Sequence, residues 1–396
     1  MWTDSLGNAL TLEDGASVAA VNDFVEGFIA SEARAVNILA ATEDRSPLVQ
    51  AYAAAVHMFA ESREAAGNAR PFIEAALARQ ADATPREQRF IAAVAAWVEG
   101  DLDRAIVLHE EQAREHPRDL ASVKLGQYHL FNRGEHARML KIAQAAQPAA
   151  SDVAYLHGML AFGWEQCHAL EQAEAAARHA IALCRKEPWA HHALAHVMLT
   201  QARHQEGHAF MADVSGTWTG LNSFMYTHNW WHQALFALAL GRTAEVLAIY
   251  DGHVWAVAKD YTQDQINAVS LLARVELAGA GVGGRWQELG EYLARRTGDQ
   301  VLPFLDLQYL LGLARAGRPE ADTLMRNIEQ NSRQAAPVWR EVALPASRGL
   351  LAWARGDKAA AASELGRALP RLEEVGGSHA QRDLFVQIHR DAASRA

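Results

Sequence analysis

Apolar and polar positions along this chain recur with the three-to-four-residue period of amphipathic helices. In VNDFVEGFIASEARAVNILAA, residues 21–41, that period predicts one helix. SPLVQAYAAAVHMFAES predicts another, opening at Pro47 behind a Ser46 cap. From residue 100 onward the pattern becomes a repeating unit: a glycine or polar turn, an alanine, then an amphipathic helix. Copies begin at Gly100 (GDLDRAIVLHEEQAREHP), Gly134, His168, Arg203, Gly241, Gly284, Gly317 and Gly356.

Successive copies lie 34, 34, 35, 38, 43, 33 and 39 residues apart. A helix-turn-helix unit accounts for this. Glycine tolerates the positive φ that ends a first helix, and a small residue after the turn lets the second approach closely. Pro117, Pro148 and Pro188 are expected to stop second helices. The unit resembles the tetratricopeptide repeat, whose period is about 34 residues. The predicted fold is all-α: an α-solenoid of tetratricopeptide-like helix-turn-helix repeats, curled around a concave pocket. Residues 1–85 are read as N-terminal capping helices, and residues 86–396 as degenerate repeats forming one continuous domain.

Composition narrows the function classes. The formal net charge is −10, which argues against a nucleic-acid partner, since phosphate binding needs a basic face. Two cysteines, Cys167 and Cys184, exclude a disulfide framework by count and fit a reducing compartment. No run of eighteen apolar residues predicts a membrane span, and the N-terminal stretch does not read as a signal peptide. A cytoplasmic location is expected. Nothing in the pattern sets an oligomeric state.

The 18 histidines are unevenly spread. In WAHHALAHVM, His192 and His196 stand four apart and share a helix face. In THNWWH, His228 and His232 do the same on the next first helix. Packing alone does not call for tryptophans between histidines; one of Trp230 and Trp231 is expected to fill the core. Asp264, Gln265 and Asn267 open another helix, with Thr262 as its expected cap and Gln265 completing a capping box. Asp306 and Gln308 interrupt an apolar run. In VGGSHAQRDLF a glycine turn precedes Ser378, a natural N-cap, with His379, Gln381, Arg382 and Asp383 in the following turn. No nucleophile elbow, P-loop, dinucleotide fingerprint or HExxH motif is present.

WAHHALAHVM, THNWWHQALF, VGGRW and GGSHAQRDLF, in this order and spacing, resemble the tetratricopeptide repeat protein 38 family from about residue 84 to the C-terminus. The resemblance implies a helical repeat protein and carries over no activity. It places the family's histidines on His192, His196, His228 and His232, and its C-terminal motif on Gly377, Ser378, Gln381, Arg382 and Asp383. Leu199 and Thr200 occupy a stretch where that pattern can carry an acidic residue, and Gln308 stands where it can carry histidine. Both departures remove candidate metal ligands.

These readings converge on a small-molecule ligand held in a His/Trp-lined pocket. His228 and His232 are the candidate general acid and base, with Asp264 orienting them. His192, His196, Trp231, Asp306, Ser378, His379 and Arg382 are the candidate substrate-binding residues, Arg382 holding an anionic group. No cofactor is predicted; a divalent metal is the alternative use of the same imidazoles. The alternative function is a protein-interaction scaffold without catalytic activity, whose partner is another protein.

Overall fold

The computed structural model describes residues 2–394. By contacts the chain divides into two compact units. One comprises Met1–Leu130, Glu135–Gln201 and Ala212–Tyr226; the other comprises Phe131–Gly134, Ala202–Met211 and Thr227–Ala396.

The fold is all-α, built from tetratricopeptide-like helical hairpins in an α-solenoid architecture. The first unit begins with a short antiparallel pair, β1 (Trp2–Thr3) and β2 (Ala9–Leu10). The helices α1 (Val18–Ala30), α2 (Pro47–Met58) and α3 (Ala65–Ala78) follow. The hairpin α4 (Pro85–Val98) and α5 (Leu102–Glu115) comes next, then α6 (Leu120–Asn132), α7 (His136–Ala150), α8 (Ala154–Gln166), α9 (Leu170–Leu183) and α10 (Pro188–Thr200). Within this unit α8 packs on α7, α9 and α10. The order continues through α11 (His204–Val214), α12 (Ser223–Ala239) and α13 (Thr243–Ile249). The second unit then stacks α14 (Thr262–Leu277), α15 (Arg285–Leu293), α16 (Pro303–Arg315), α17 (Glu320–Asn331), α18 (Leu344–Ala354) and α19 (Lys358–Ala368). The last helix, α20 (His379–Ala393), packs on α18 and α19 and also reaches α14.

The turn between paired helices is left-handed. Gly100 makes it with φ +82°, as glycine should. The copies without glycine keep the geometry: His168 takes φ +58° and Ala202 takes φ +55°. A small residue is needed where the pair closes, as at Gly349 of α18, where a Cβ would lie 2.9 Å from the Leu365 backbone nitrogen of α19.

Several predicted boundaries move, each for a local reason. Residues 21–41 form no single helix. α1 ends at Ala30 because Ser31 adopts φ +54°, and a 3-10 segment spans Ala33–Ala41. The Lys124 ammonium donates to the carbonyls of Phe28 and Ile29 at 2.8 Å each, taking acceptors that a continuing helix would have used. Pro148 sits in the last turn of α7 without stopping it, since its fixed φ is helical and only one N–H is lost. Pro188 opens α10 rather than closing α9. Thr262 is the first residue of α14, not its cap; Tyr261 holds that position, and the Gln265 amide donates to the Lys259 carbonyl. Cys167 and Cys184 are both free, and no described helix is long and apolar enough to cross a membrane.

Candidate functional site

α12 presents His228 and His232 on one face, their ring centroids 4.8 Å apart and nearly perpendicular. Trp231 is fully buried and stacks on His228 at 5.1 Å with 10° between planes. Its neighbour Trp230 points elsewhere and stacks on His253 at 3.7 Å. One tryptophan therefore serves the core around the histidines, as a 100° step between adjacent helix positions requires.

His228 Nδ1 lies 2.9 Å from Asn267 Oδ1 of α14. The expected orienting residue, Asp264, stands one bond further out. It accepts the Thr227 hydroxyl at 3.1 Å and the Ala258 N–H at 3.2 Å. Asp264 and Asn267 are three residues apart and share a helix face.

α10 owes its start to Pro188 and to the buried Glu187 carboxylate, which accepts the N–H groups of Trp189 and Ala190. His192 and His196 meet nitrogen to nitrogen, Nε2 to Nε2 at 2.9 Å. Behind them, Glu165 Oε2 of α8 lies 3.4 Å from His196 Nδ1. Glu165 is not among the residues singled out by sequence pattern. Its only signal is a charge closing the apolar run AYLHGMLAFGWEQ, at the end of α8. His191 is tied to the backbone and to a neighbouring tryptophan. Its Nε2 meets the Arg185 carbonyl at 2.8 Å, and its Nδ1 accepts Trp218 Nε1–H at 3.2 Å. Burial pushes its pKa down to about 4.

His192 and His196 are buried together on α10, and His228 and His232 are buried together on α12. Each pair offers imidazole nitrogens that could hold a metal ion, and imidazole suits zinc and its transition-metal neighbours.

The C-terminal candidates have local partners. Ser378 caps α20 in a complete capping box with Gln381. Arg382 bonds the Gly377 carbonyl, and its other terminal nitrogen lies 3.3 Å from His379 Nδ1. The turn rests against α14 through Arg274, which no sequence motif pointed to. This buried guanidinium bonds Ser270 Oγ at 2.6 Å and the Ala380 carbonyl at 2.5 Å, and lies 5.4 Å from the Trp231 ring. Its nearest carboxylate is Asp383 at 4.0 Å, and burial pulls its pKa down to about 10. Asp306 of α16 is almost wholly buried, with neither carboxyl oxygen in a well-formed hydrogen bond. Burial, then the charge of Asp299, raises its pKa well above the usual carboxylate range.

No known family matches the chain by sequence. In structure it is similar to a tetratricopeptide repeat protein from Parabacteroides merdae, with 13% identity, 76% of this chain and 98% of that chain covered, and a TM-score of 0.37. It is also similar to a chain in the structure of Naa15/Naa10 bound to HypK-THB. That match has 11% identity, covers 95% of this chain and 65% of that one, and has a TM-score of 0.28.

Proposed function

We propose that this protein is a helical-repeat binding protein that takes a small polar or aromatic molecule, with its buried histidines as ligands of a divalent transition-metal ion. The observation that carries this reading is two buried imidazole pairs, His192 with His196 on α10 and His228 with His232 on α12. Histidines that serve packing alone usually spend their ring nitrogens on separate backbone carbonyls, as His191 and His157 do here. An ion that kept one coordination position open would supply Lewis acidity to a bound carbonyl or water. The protein's own contribution is to hold the four rings and, through Glu165 and Asn267, to support two of them from behind.

Metal analysis of purified protein, with cobalt(II) titration followed by visible absorption, tests this. The expected result is about one equivalent per chain with the intense bands of tetrahedral cobalt, and their loss in His228→Ala and His232→Ala. Protein that carries no stoichiometric metal and takes up no cobalt overturns the reading.

The hairpin-repeat fold also suits the second reading, a scaffold for a protein partner. The same variants separate the two, since a scaffold acting through its outer surfaces should bind its partner unchanged when His228 is replaced.

A further inference from the structure

Arg86 and Arg274 are both buried, and their charges are met differently. Arg86 bonds Asp119 at 2.8 Å and has Glu87 at 3.7 Å. Burial acts to lower its pKa, yet Asp119 holds it raised. Arg274 of α14 bonds only neutral oxygens, Ser270 Oγ at 2.6 Å and the Ala380 carbonyl at 2.5 Å. Those contacts take two of the five N–H groups of a guanidinium. Its nearest carboxylate among the described residues, Asp383, stops at 4.0 Å, is 47% exposed and accepts the Gln387 side-chain N–H.

The two arginines set a clear contrast. Even with burial drawing its pKa down to about 10, Arg274 stays charged at neutral pH. A buried charge is costly unless an opposite charge meets it with good geometry. Arg86 has that charge within the protein; at Arg274 an anion from outside would supply it. Asn267, Ser270 and Arg274 stand at i, i+3 and i+7 on one face of α14. Asn267 meets His228 at 2.9 Å, and about 10 Å further along the helix Arg274 lies 5.4 Å from the Trp231 ring. On its other side lies the first turn of α20, where His379, Ala380 and Asp383 are only half-buried. An anion reaches the guanidinium from that side.

We propose that Arg274 is an anion-binding residue and that the small molecule it takes carries a carboxylate. Two carboxylate oxygens match the flat guanidinium fork. One uncompensated positive charge calls for one negative charge, which a phosphate dianion beside Asp383 would exceed. The assignment replaces Arg382, which bonds the Gly377 carbonyl and lies 3.3 Å from His379. It rests on the small-molecule reading above and not on the metal ion.

The test is fluorine NMR titration of metal-free, full-length protein with 4-fluorobenzoate and with 4-fluorobenzamide, a flat neutral analogue, at constant ionic strength. The benzoate should bind and saturate, and the amide should bind at least about tenfold more weakly. Arg274→Met should weaken the benzoate by about 10- to 100-fold, to the level of the amide. Arg274→Lys keeps the charge, loses the fork and should fall between. Asp383→Asn removes a competing carboxylate and should tighten the benzoate by about 1.5- to 5-fold.

Wild-type protein that binds both probes equally, or neither, overturns the proposal. So does a folded Arg274→Met protein with unchanged affinity, or an Asp383→Asn protein with weakened affinity. If Arg274→Met does not fold, the wild-type titrations and Asp383→Asn decide. Protein that binds fluorobenzoate but takes no cobalt removes the metal ion and leaves Arg274 as the anion holder. Protein that takes cobalt and ignores fluorobenzoate removes the anion site alone.

Discussion

α9 and α10 are consecutive, similar in length and packed together, yet they bury their residues differently. α9 buries Ala173, Ala177 and Ala180, one stripe of small side chains, and keeps its charges outside. α10 is buried from Ala190 to Met198 without interruption, and three of those residues are histidines. The contrast holds along the chain. The second helix α19 buries Ala361, Leu365 and Ala368, while α14 is buried from Asp264 to Val275 and α16 from Pro303 to Leu313. A first helix is covered all round, so every polar residue it carries must find a partner inside. A second helix meets its neighbours on one side and can leave polarity to solvent. Chemistry accumulates in first helices because there a polar side chain is costly to keep without a use or a bond.

Exchanging properties between the two classes probes that contrast. The largest effect is expected in the first helix α4, where Arg86 bonds Asp119 at 2.8 Å with both groups buried. Arg86→Met should cost about 3–5 kcal/mol in chemical denaturation, because it strands Asp119. Adding Asp119→Leu should recover most of that loss. A double variant as weak as the single would mean that the pair does more than compensate its own burial.

A smaller effect is expected in the second helix. Ala177→Leu should cost about 1–3 kcal/mol by overfilling the seam, against roughly 0.5 kcal/mol or less for Ala175→Leu on the exposed face of α9. Equal losses at the two positions would erase the distinction between stripe and surface.

The smallest change has the opposite sign. The Asp306 pKa is raised in the folded state, so the folded protein holds a proton that the unfolded chain releases. Its stability contribution is complete below the ordinary carboxyl pKa and falls as pH rises through and above that range. Asp306→Asn should therefore unfold at a higher temperature than wild type near pH 8, with the gap shrinking toward pH 4. A gap that widens on acidification would mean that the carboxylate is stabilised by a partner when charged.

Second helices and turns were legible in the sequence because amphipathic period and turn chemistry are local. The repeat starting at His168 was legible even though a histidine makes the left-handed turn. First helices were legible as helices, and their polar residues stood out against apolar runs. What those residues touch was harder to read. The break at Ser31 depends on Lys124, far along the chain, and no window around residue 31 contains that cause. His228 Nδ1 meets Asn267, one helical turn beyond Asp264, and that pairing across helices is not visible in local pattern. Glu165 escaped because it lies at the end of its helix, where a carboxylate reads as solvent-facing, although it is buried.

The reach of α20 back to α14 also sets an order of events during synthesis. Arg274 bonds the carbonyl of Ala380, 106 residues later in the chain. While translation proceeds, α14 can form and pair with α15 and α16, but the side that α20 covers stays open until α20 itself has left the ribosome. Closures over so long a separation are slow, because loop entropy must be overcome before the contact rewards it. A chain cut before α20 would keep most of its hairpins and still lack the Ala380 carbonyl that Arg274 bonds.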